Sequence, residues 1–355
     1  MEFTGAGRLE VRITAHDVGK RVSIRRLTAP GGEGERFTDT VGVLTSWDNG
    51  VLLITRKSGE TVPVAEASLV AGKVVPPAPA RRRGPAADFR ELSRAADRAW
   101  PPQERTRVGE WELRAAGGFT RRANSALTSG DPGLPLDEAL SRVVDWYGER
   151  GLPARIHAAT GAAGTQEPLC AALEERGWRR EVSVEFRIAS LAPLADRDAD
   201  VSRVALDRSF DDAWLKRYRG TAGATASIRA VLGGGPSLWF ASVAGEGKGE
   251  GEGRGKGQGE GRGKGQGEDR GEVPAAIGRC AVDGRWAGFM ALEVDPALRR
   301  QGLAGAMTTA LARRALAEGA SAAWLQVETD NEGARALYDR LGFTTHHHYH
   351  YYLAP

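Results

Sequence analysis

The segment from Phe289 to Gly319, FMALEVDPALRRQGLAGAMTTALARRALAEG, runs from an apolar stretch through Asp295-Pro296 into a basic loop and then directly into a helical pattern. A strand over 289–294, a short loop and a helix with Leu303, Met307, Ala310 and Leu311 on one stripe require a layered α/β architecture. The loop, Arg299-Arg300-Gln301-Gly302-Leu303-Ala304, has the form Arg/Gln-x-x-Gly-x-Gly/Ala. The first N–H groups of a helix have no partner inside it, and the helix dipole adds positive potential there. Together they make an anion site. Small residues at 302 and 304 let a pyrophosphate approach the backbone, and Arg299 and Arg300 add charge for further phosphate groups. The same pattern recurs at Arg81–Ala86, Arg254–Gly259 and Arg262–Gly267, but only the copy at 299–304 follows a strand and opens a striped helix. The plain alternative is a βα turn whose glycine and arginines are incidental.

The next segment, AAWLQVETDNEGARALYDRLGF (322–343), predicts a strand over 323–328, a helix N-cap at Asn331 and a helix ending at Gly342. Asn331, Ala334 and Tyr338 are spaced by three and four residues and so share one helix face. An amide, a small residue and a phenol on one face suit a thioester ligand: a hydrogen bond, a close approach and a proton donor. Spacing alone equally allows Tyr338 to be an aromatic core residue.

At 355 residues the chain suits two or three domains. A hydrophobic fraction of 41% beside 27% charged residues excludes a largely disordered protein, and a net charge of +3 argues against a dedicated nucleic-acid binder and gives no case for a membrane surface. No run reaches the roughly 20 apolar residues of a membrane span, and the first residues lack a signal peptide's apolar stretch. With only Cys170 and Cys280, neither a disulfide framework nor an all-cysteine zinc site can be built. The expectation is a reduced, cytoplasmic, multidomain chain.

Two stretches divide it. Residues 245–271 carry the octapeptide GEGRGKGQ twice in tandem, with glycine at nearly every second position and charges that cancel. Such a tract buries nothing against its ordering entropy, so it is expected to be a disordered insert between strand-like runs at 236–244 and 273–296. The Pro- and Arg-rich stretch 76–87 reads as a linker. Before it, runs at 21–28, 38–47, 50–57 and 60–70, separated by turn residues, predict a small SH3-like β-barrel over 1–75. With only Phe3, Phe37 and Trp47 available, this barrel suits docking better than an aromatic cage for methylated lysine. From 88 to 190 the pattern is mixed: a helix at 88–100, two strands within 109–127, a helix at 136–151, a strand at 154–160, a helix at 168–178 and a strand at 182–189. Residues 196–355 repeat this order of elements, so two related α/β halves follow the barrel.

Residues 289–343 resemble the GNAT superfamily of acetyl-CoA-dependent N-acetyltransferases. The likeness lies in strand, Arg-x-x-Gly-x-Ala loop, helix and strand, then Asn-x-x-Ala-x-x-x-Tyr and Leu-Gly-Phe, with YHYYLA (349–354) as the last strand. The barrel and AWPPQERTRVGEWELRAAGGFTRRANSAL (99–127) resemble an actinobacterial subfamily that pairs an SH3-like domain with a GNAT domain and is catalogued as histone-acetyltransferase-like. The resemblance makes 88–190 a degenerate GNAT-like half, with SALTSGDPGLP (125–135) where a phosphate loop would lie, and 196–355 the acetyltransferase domain. It implies that Arg299, Arg300, Gln301, Gly302, Leu303, Ala304 and Gly305 hold the CoA pyrophosphate and that Leu292 and Val294 pair through their backbone with the pantetheine arm. Asn331, with Ala334 beside it, would contact the cofactor arm, and Tyr338 would protonate the leaving thiolate. An amine of a small molecule or protein would attack the thioester directly, without a metal.

The general base departs from the family's patterns. Gly288 and Gln326 stand where relatives place a glutamate, so Glu328, on the strand face of Gln326, is the first substitute, Glu293 the second and a water chain the third. His346, His348 and His350 would share a strand face as an adventitious nickel or zinc site. Two alternatives stay open: a non-catalytic acyl-CoA-binding module, and a mycothiol-synthase-like enzyme of thiol-cofactor biosynthesis.

Overall fold

The computed structural model describes residues 10–27, 37–75, 85–218, 226–245 and 273–355. The expected insert beyond Gly245 up to Gly271, and the expected linker up to Gly84, lie outside them.

Strands β1 (Arg21–Leu27), β2 (Phe37–Asp48), β3 (Val51–Thr55), β4 (Thr61–Ala65) and β5 (Leu69–Val74) form an antiparallel sheet in the order β4-β3-β2-β1-β5. Alternating apolar residues, among them Val22, Ile24, Leu44, Leu52, Ile54 and Val64, make its core. Asn49 and Gly50 have φ of 49° and 77°, the left-handed pair that a two-residue hairpin turn needs. A 3-10 turn at Glu66–Ser68 splits the expected fourth run into β4 and β5. No ladder joins β4 to β5 among the described residues, so the expected closure into an SH3-like barrel is not observed.

The chain continues through α1 (Phe89–Ala99), β6 (Glu104–Val108), β7 (Trp111–Ala115), β8 (Ala126–Leu127), α2 (Leu136–Gly148), β9 (Arg155–Thr160), α3 (Glu167–Glu175) and β10 (Arg179–Ser190). After these come α4 (Leu191–Ala195), β11 (Val204–Asp207), α5 (Asp212–Arg217), α6 (Ala226–Gly233), β12 (Ser237–Val243), β13 (Ala276–Asp283) and β14 (Trp286–Val294). The last elements are α7 (Leu303–Ala317), β15 (Ala322–Glu328), α8 (Glu332–Arg340) and β16 (Thr344–Leu353). They form two compact units. The first comprises Met1–Arg94, Pro102–Ile188 and Gln326–Pro355, and the second Ala95–Pro101 and Ala189–Leu325.

In the first unit, beyond the N-terminal sheet, strands follow the order β10-β16-β9-β8-β7-β6. β16 is antiparallel to both β10 and β9, and β8 is parallel to β9. The C-terminal strand is therefore flanked by two strands of the segment 88–190. Trp111, Leu113, Ile156 and Ala158 pack with Leu140, Val143 and Tyr147 of α2 and with Cys170 and Leu173 of α3. The β3–β4 turn meets this layer: Thr160 Oγ1 donates to the Lys57 carbonyl at 3.2 Å, and a Cβ on Gly59 would lie 2.3 Å from His350.

In the second unit the order is β11-β12-β13-β14-β15. The first four strands are antiparallel neighbours, and β12 meets β13 as far as Val243↔Ala276, so the insert joins a hairpin. β14 and β15 are parallel from Trp286↔Ala322 to Phe289↔Leu325. Helix α7 lies against β13, β14 and α4 and buries Leu303, Met307, Ala310, Leu311 and Ala315.

Candidate functional site

The loop ahead of α7 is fixed from both ends. Asp295 accepts from the Ala297 N–H at 2.9 Å and pairs with Arg217 at 2.7 Å, and these two partners hold its carboxyl below the usual range. Arg300 and Gly302 then take φ of 67° and 84°, turning the chain into the helix. Gly302 suits this without cost, while Arg300 is held in a region that non-glycine residues rarely adopt. The first intrahelical bond runs from Ala306 N–H to the Gly302 carbonyl at 3.0 Å, so the amides of Leu303, Ala304 and Gly305 have no intrahelical acceptor. A Cβ on Gly302 or Gly305 would meet nothing within 4 Å, which leaves the helix mouth open. Arg299, Arg300 and Gln301 are exposed beside it, and no acidic residue lies in the first turn. Helix amides without intrahelical acceptors beside basic side chains are an arrangement that suits an anion.

β14 leads into the loop through a bulge. Ile277 faces Glu293 and Arg279 faces Met290, so Ala291 and Leu292 together oppose Gly278, and Ala291 takes φ of 51°. The pairing with β15 ends at Phe289, four residues before Glu293 and short of Leu292 and Val294. A Cβ on Gly288 would lie 2.3 Å from the buried Trp324 ring, its registered partner on β15. The indole thus fills the space in which a carboxylate at position 288 would stand. Nothing in the sequence marked Trp324 for this; the clash depends on parallel register.

The remaining expected residues belong to the first unit. Asn331 caps α8, its Oδ1 accepting from Ala334 N–H at 3.0 Å, so any bond it makes to a ligand is donated by Nδ2. Tyr338 is half-buried, with its ring edge-on to Phe343 at 5.8 Å and no hydrogen bond to its hydroxyl among the described residues. Burial pushes its phenol up to about 12, against the opposing charge of Arg187. Glu328 ends β15 exposed, 3.9 Å from Arg121, and the Gln326 Oε1 is buried without a hydrogen-bond partner among the described residues. Beneath α8 lies a pair that sequence reasoning passed over: buried Glu185 and Arg187 on β10, 2.5 Å apart. Two opposite charges at alternate positions of VSVEFRIA were the available signal.

The histidines of β16 are sheet residues, His347 and His350 buried and His346 and His348 half-buried. A register shift opposite Phe186/Arg187 displaces His346 from the expected alternation, and its Nε2 faces the Ala87 carbonyl at 3.1 Å. His350 uses both ring nitrogens, on Thr160 at 3.0 Å and Ser183 at 2.9 Å. Burial holds the His350 ring down to about 3 and the His348 ring down to about 4, so both are neutral. No cluster of three or more metal-ligating side chains is found among the described residues, and no helix among them is long and apolar enough to cross a membrane.

Known proteins match this architecture. Residues 86–352 match the family model described as the C-terminal part of the probable histone acetyltransferase Rv0428c, and residues 16–73 match the Rv0428c N-terminal Sm-like domain. The chain is 29% identical over 345 residues to the probable histone acetyltransferase Rv0428c of Mycobacterium tuberculosis, spanning 94% of each. It is 24% identical over 268 residues to the uncharacterized N-acetyltransferase YobR of Bacillus subtilis, covering 74% of this chain and 98% of that one. Among solved structures, a GCN5-related N-acetyltransferase from Kribbella flavida superposes with a TM-score of 0.52 at 14% identity, over 76% of this chain and 97% of that one, and so shares the fold.

Proposed function

Since the chain belongs to the Rv0428c acetyltransferase family and is an acyltransferase of mixed α/β GNAT fold with an N-terminal Sm-like domain, we propose that it moves an acetyl group from acetyl-CoA to a primary amine of a small molecule or protein. The observation that carries this reading is the open mouth of α7, where three amides without intrahelical acceptors sit beside Arg299 and Arg300.

In this reading residues 299–305 bind the pyrophosphate through backbone N–H groups, Leu292 and Val294 offer their backbone to the pantetheine arm, and Asn331 donates to it, with Ala334 allowing close approach. The amine attacks the thioester carbonyl directly, Glu328 or else Glu293 takes the proton that the ammonium form must lose, and Tyr338 protonates the departing thiolate. The N-terminal Sm-like sheet acts as a docking module, 88–190 as a degenerate GNAT-like half and 196–355 as the catalytic one, in a cytoplasmic protein. Calorimetry of Gly302→Leu tests the cradle: acetyl-CoA binding should vanish while the circular dichroism spectrum is kept. Unchanged affinity would remove the loop from the site.

A second reading, an acyl-CoA-binding module without turnover, is favoured by one observation: Trp324 fills the place of a carboxylate at 288, and position 326 is an amide. Intact acetyl-CoA binding with no thiol release across a panel of amines would select it.

A further inference from the structure

Helix α8 is gripped from β10 by two buried side chains. Arg187 donates from Nη1 to the Arg335 carbonyl at 3.2 Å and to Asp339 at 2.8 Å, and from Nε to Glu185 at 2.5 Å. Glu185 in turn accepts from Arg335 Nη2 at 3.0 Å and from Thr345 Oγ1 at 3.2 Å. Arg335 also donates to the Thr329 carbonyl at 3.1 Å, which ties the start of α8 to the same network. The two helix residues that Arg187 holds, 335 and 339, bracket Tyr338 by three positions before and one after. Burial alone would lift the Glu185 carboxyl, but Arg187 and Arg335 outweigh it and keep Glu185 ionised.

We propose that Arg187 is a positioning residue for acetyl transfer: its guanidinium, through the Arg335 carbonyl and Asp339, fixes the turn of α8 that carries Tyr338. This rests on the proton-donor reading of Tyr338. When the amine nitrogen bonds to the acetyl carbon, the carbon–sulfur bond breaks and its electron pair leaves on sulfur. The Tyr338 hydroxyl gives its proton to that thiolate and becomes a phenolate. The amine's own proton goes to the base or solvent, and the phenolate is reprotonated from solvent. A thiol has a reference pKa near 8.5, so a phenol raised by burial gives up its proton uphill, and a nearby cation reduces that climb. Within the network, charged and titratable groups come from β10 (Glu185, Arg187), α8 (Arg335, Asp339) and β16 (His348, neutral). Arg187 is the one whose charge lowers the Tyr338 phenol.

The test is a double-mutant cycle on thiol release from acetyl-CoA in single turnover, with poly-L-lysine as the amine. Arg187→Lys keeps a charge but loses the fork that holds two acceptors, and should slow the step about tenfold with the KM for acetyl-CoA within about twofold. In the Tyr338→Phe background the same change should be nearly silent, because the group it serves is gone. Removing one member of a buried pair can unfold a protein, so the neutral pair Glu185→Gln with Arg187→Gln serves as a second probe, with the same background dependence expected. An equal loss in both backgrounds makes Arg187 merely structural and overturns the proposal, as does an unchanged rate for Arg187→Lys. A silent Tyr338→Phe overturns the proton-donor reading instead, and takes the role of Arg187 down with it.

Discussion

The described residues contain two parallel strand–helix–strand crossovers, β8–α2–β9 and β14–α7–β15, and they treat the mouth of their helix in opposite ways. Before α2 two loop N–H groups are bonded to carboxylates. Glu110 accepts from the Asp131 N–H at 2.7 Å, Asp131 accepts from the Gly133 N–H at 2.7 Å, and Thr128 Oγ1 donates to the His157 carbonyl at 2.9 Å. The first turn of α2 then carries Asp137 and Glu138. Carboxylates there satisfy the dipole that would otherwise attract a phosphate. Before α7 the loop has arginines instead, no acid in the first turn, and space above Gly302 and Gly305. The next helices differ as well. Seven residues past its cap, α8 has Tyr338; seven residues past Gln166, α3 has the fully buried Leu173. The same topology thus carries basic residues and no first-turn acid at one helix mouth and two first-turn carboxylates at the other, and the difference lies in where the carboxylates fall.

That contrast can be attacked at several strengths. The largest effect is expected at Tyr338. Tyr338→Phe, which moves α8 towards the apolar character of α3, should slow the chemical step by about 10²–10⁴ with acetyl-CoA affinity nearly unchanged. Because burial holds the phenol up to about 12, wild-type enzyme should show no alkaline loss of rate from this group below about pH 11. A rate within twofold of wild type would return Tyr338 to the core. Next is Gly305→Asp, which gives α7 the acidic first turn of α2 and should weaken acetyl-CoA binding about 100-fold, measured by calorimetry. An unaltered affinity would mean that the acids of α2 are not what closes the first crossover. The smallest effect is expected from deleting 247–270. β12 and β13 already pair up to Val243↔Ala276, so a short turn should replace the tract with melting temperature and turnover nearly unchanged. A large loss of either would give the repeat a role.

The second crossover was the more legible of the two in the sequence. Asp-Pro, the Arg-Arg-Gln-Gly loop and an apolar stripe are local signals, and the cap at Asn331 followed from its own residue type. The first crossover was harder to read. β6 escaped notice because Glu104-Arg105-Thr106-Arg107 is a polar edge strand with little alternation, and β8 is only two residues long. The place of β16 between β9 and β10, and the indole of Trp324 over Gly288, depend on pairings between residues far apart in the chain. The displacement of His346 has the same cause: a register shift opposite Phe186/Arg187, invisible in the sequence, breaks the alternation that would have put it on one face with His348 and His350.

The central claim is that one crossover binds acetyl-CoA and the other is closed by its own carboxylates. Titrating the full chain with acetyl-CoA in a calorimeter tests it most directly, with Gly302→Leu run beside it. One equivalent should bind per wild-type chain and none to the variant. Two equivalents, or one equivalent that survives Gly302→Leu, would contradict the account.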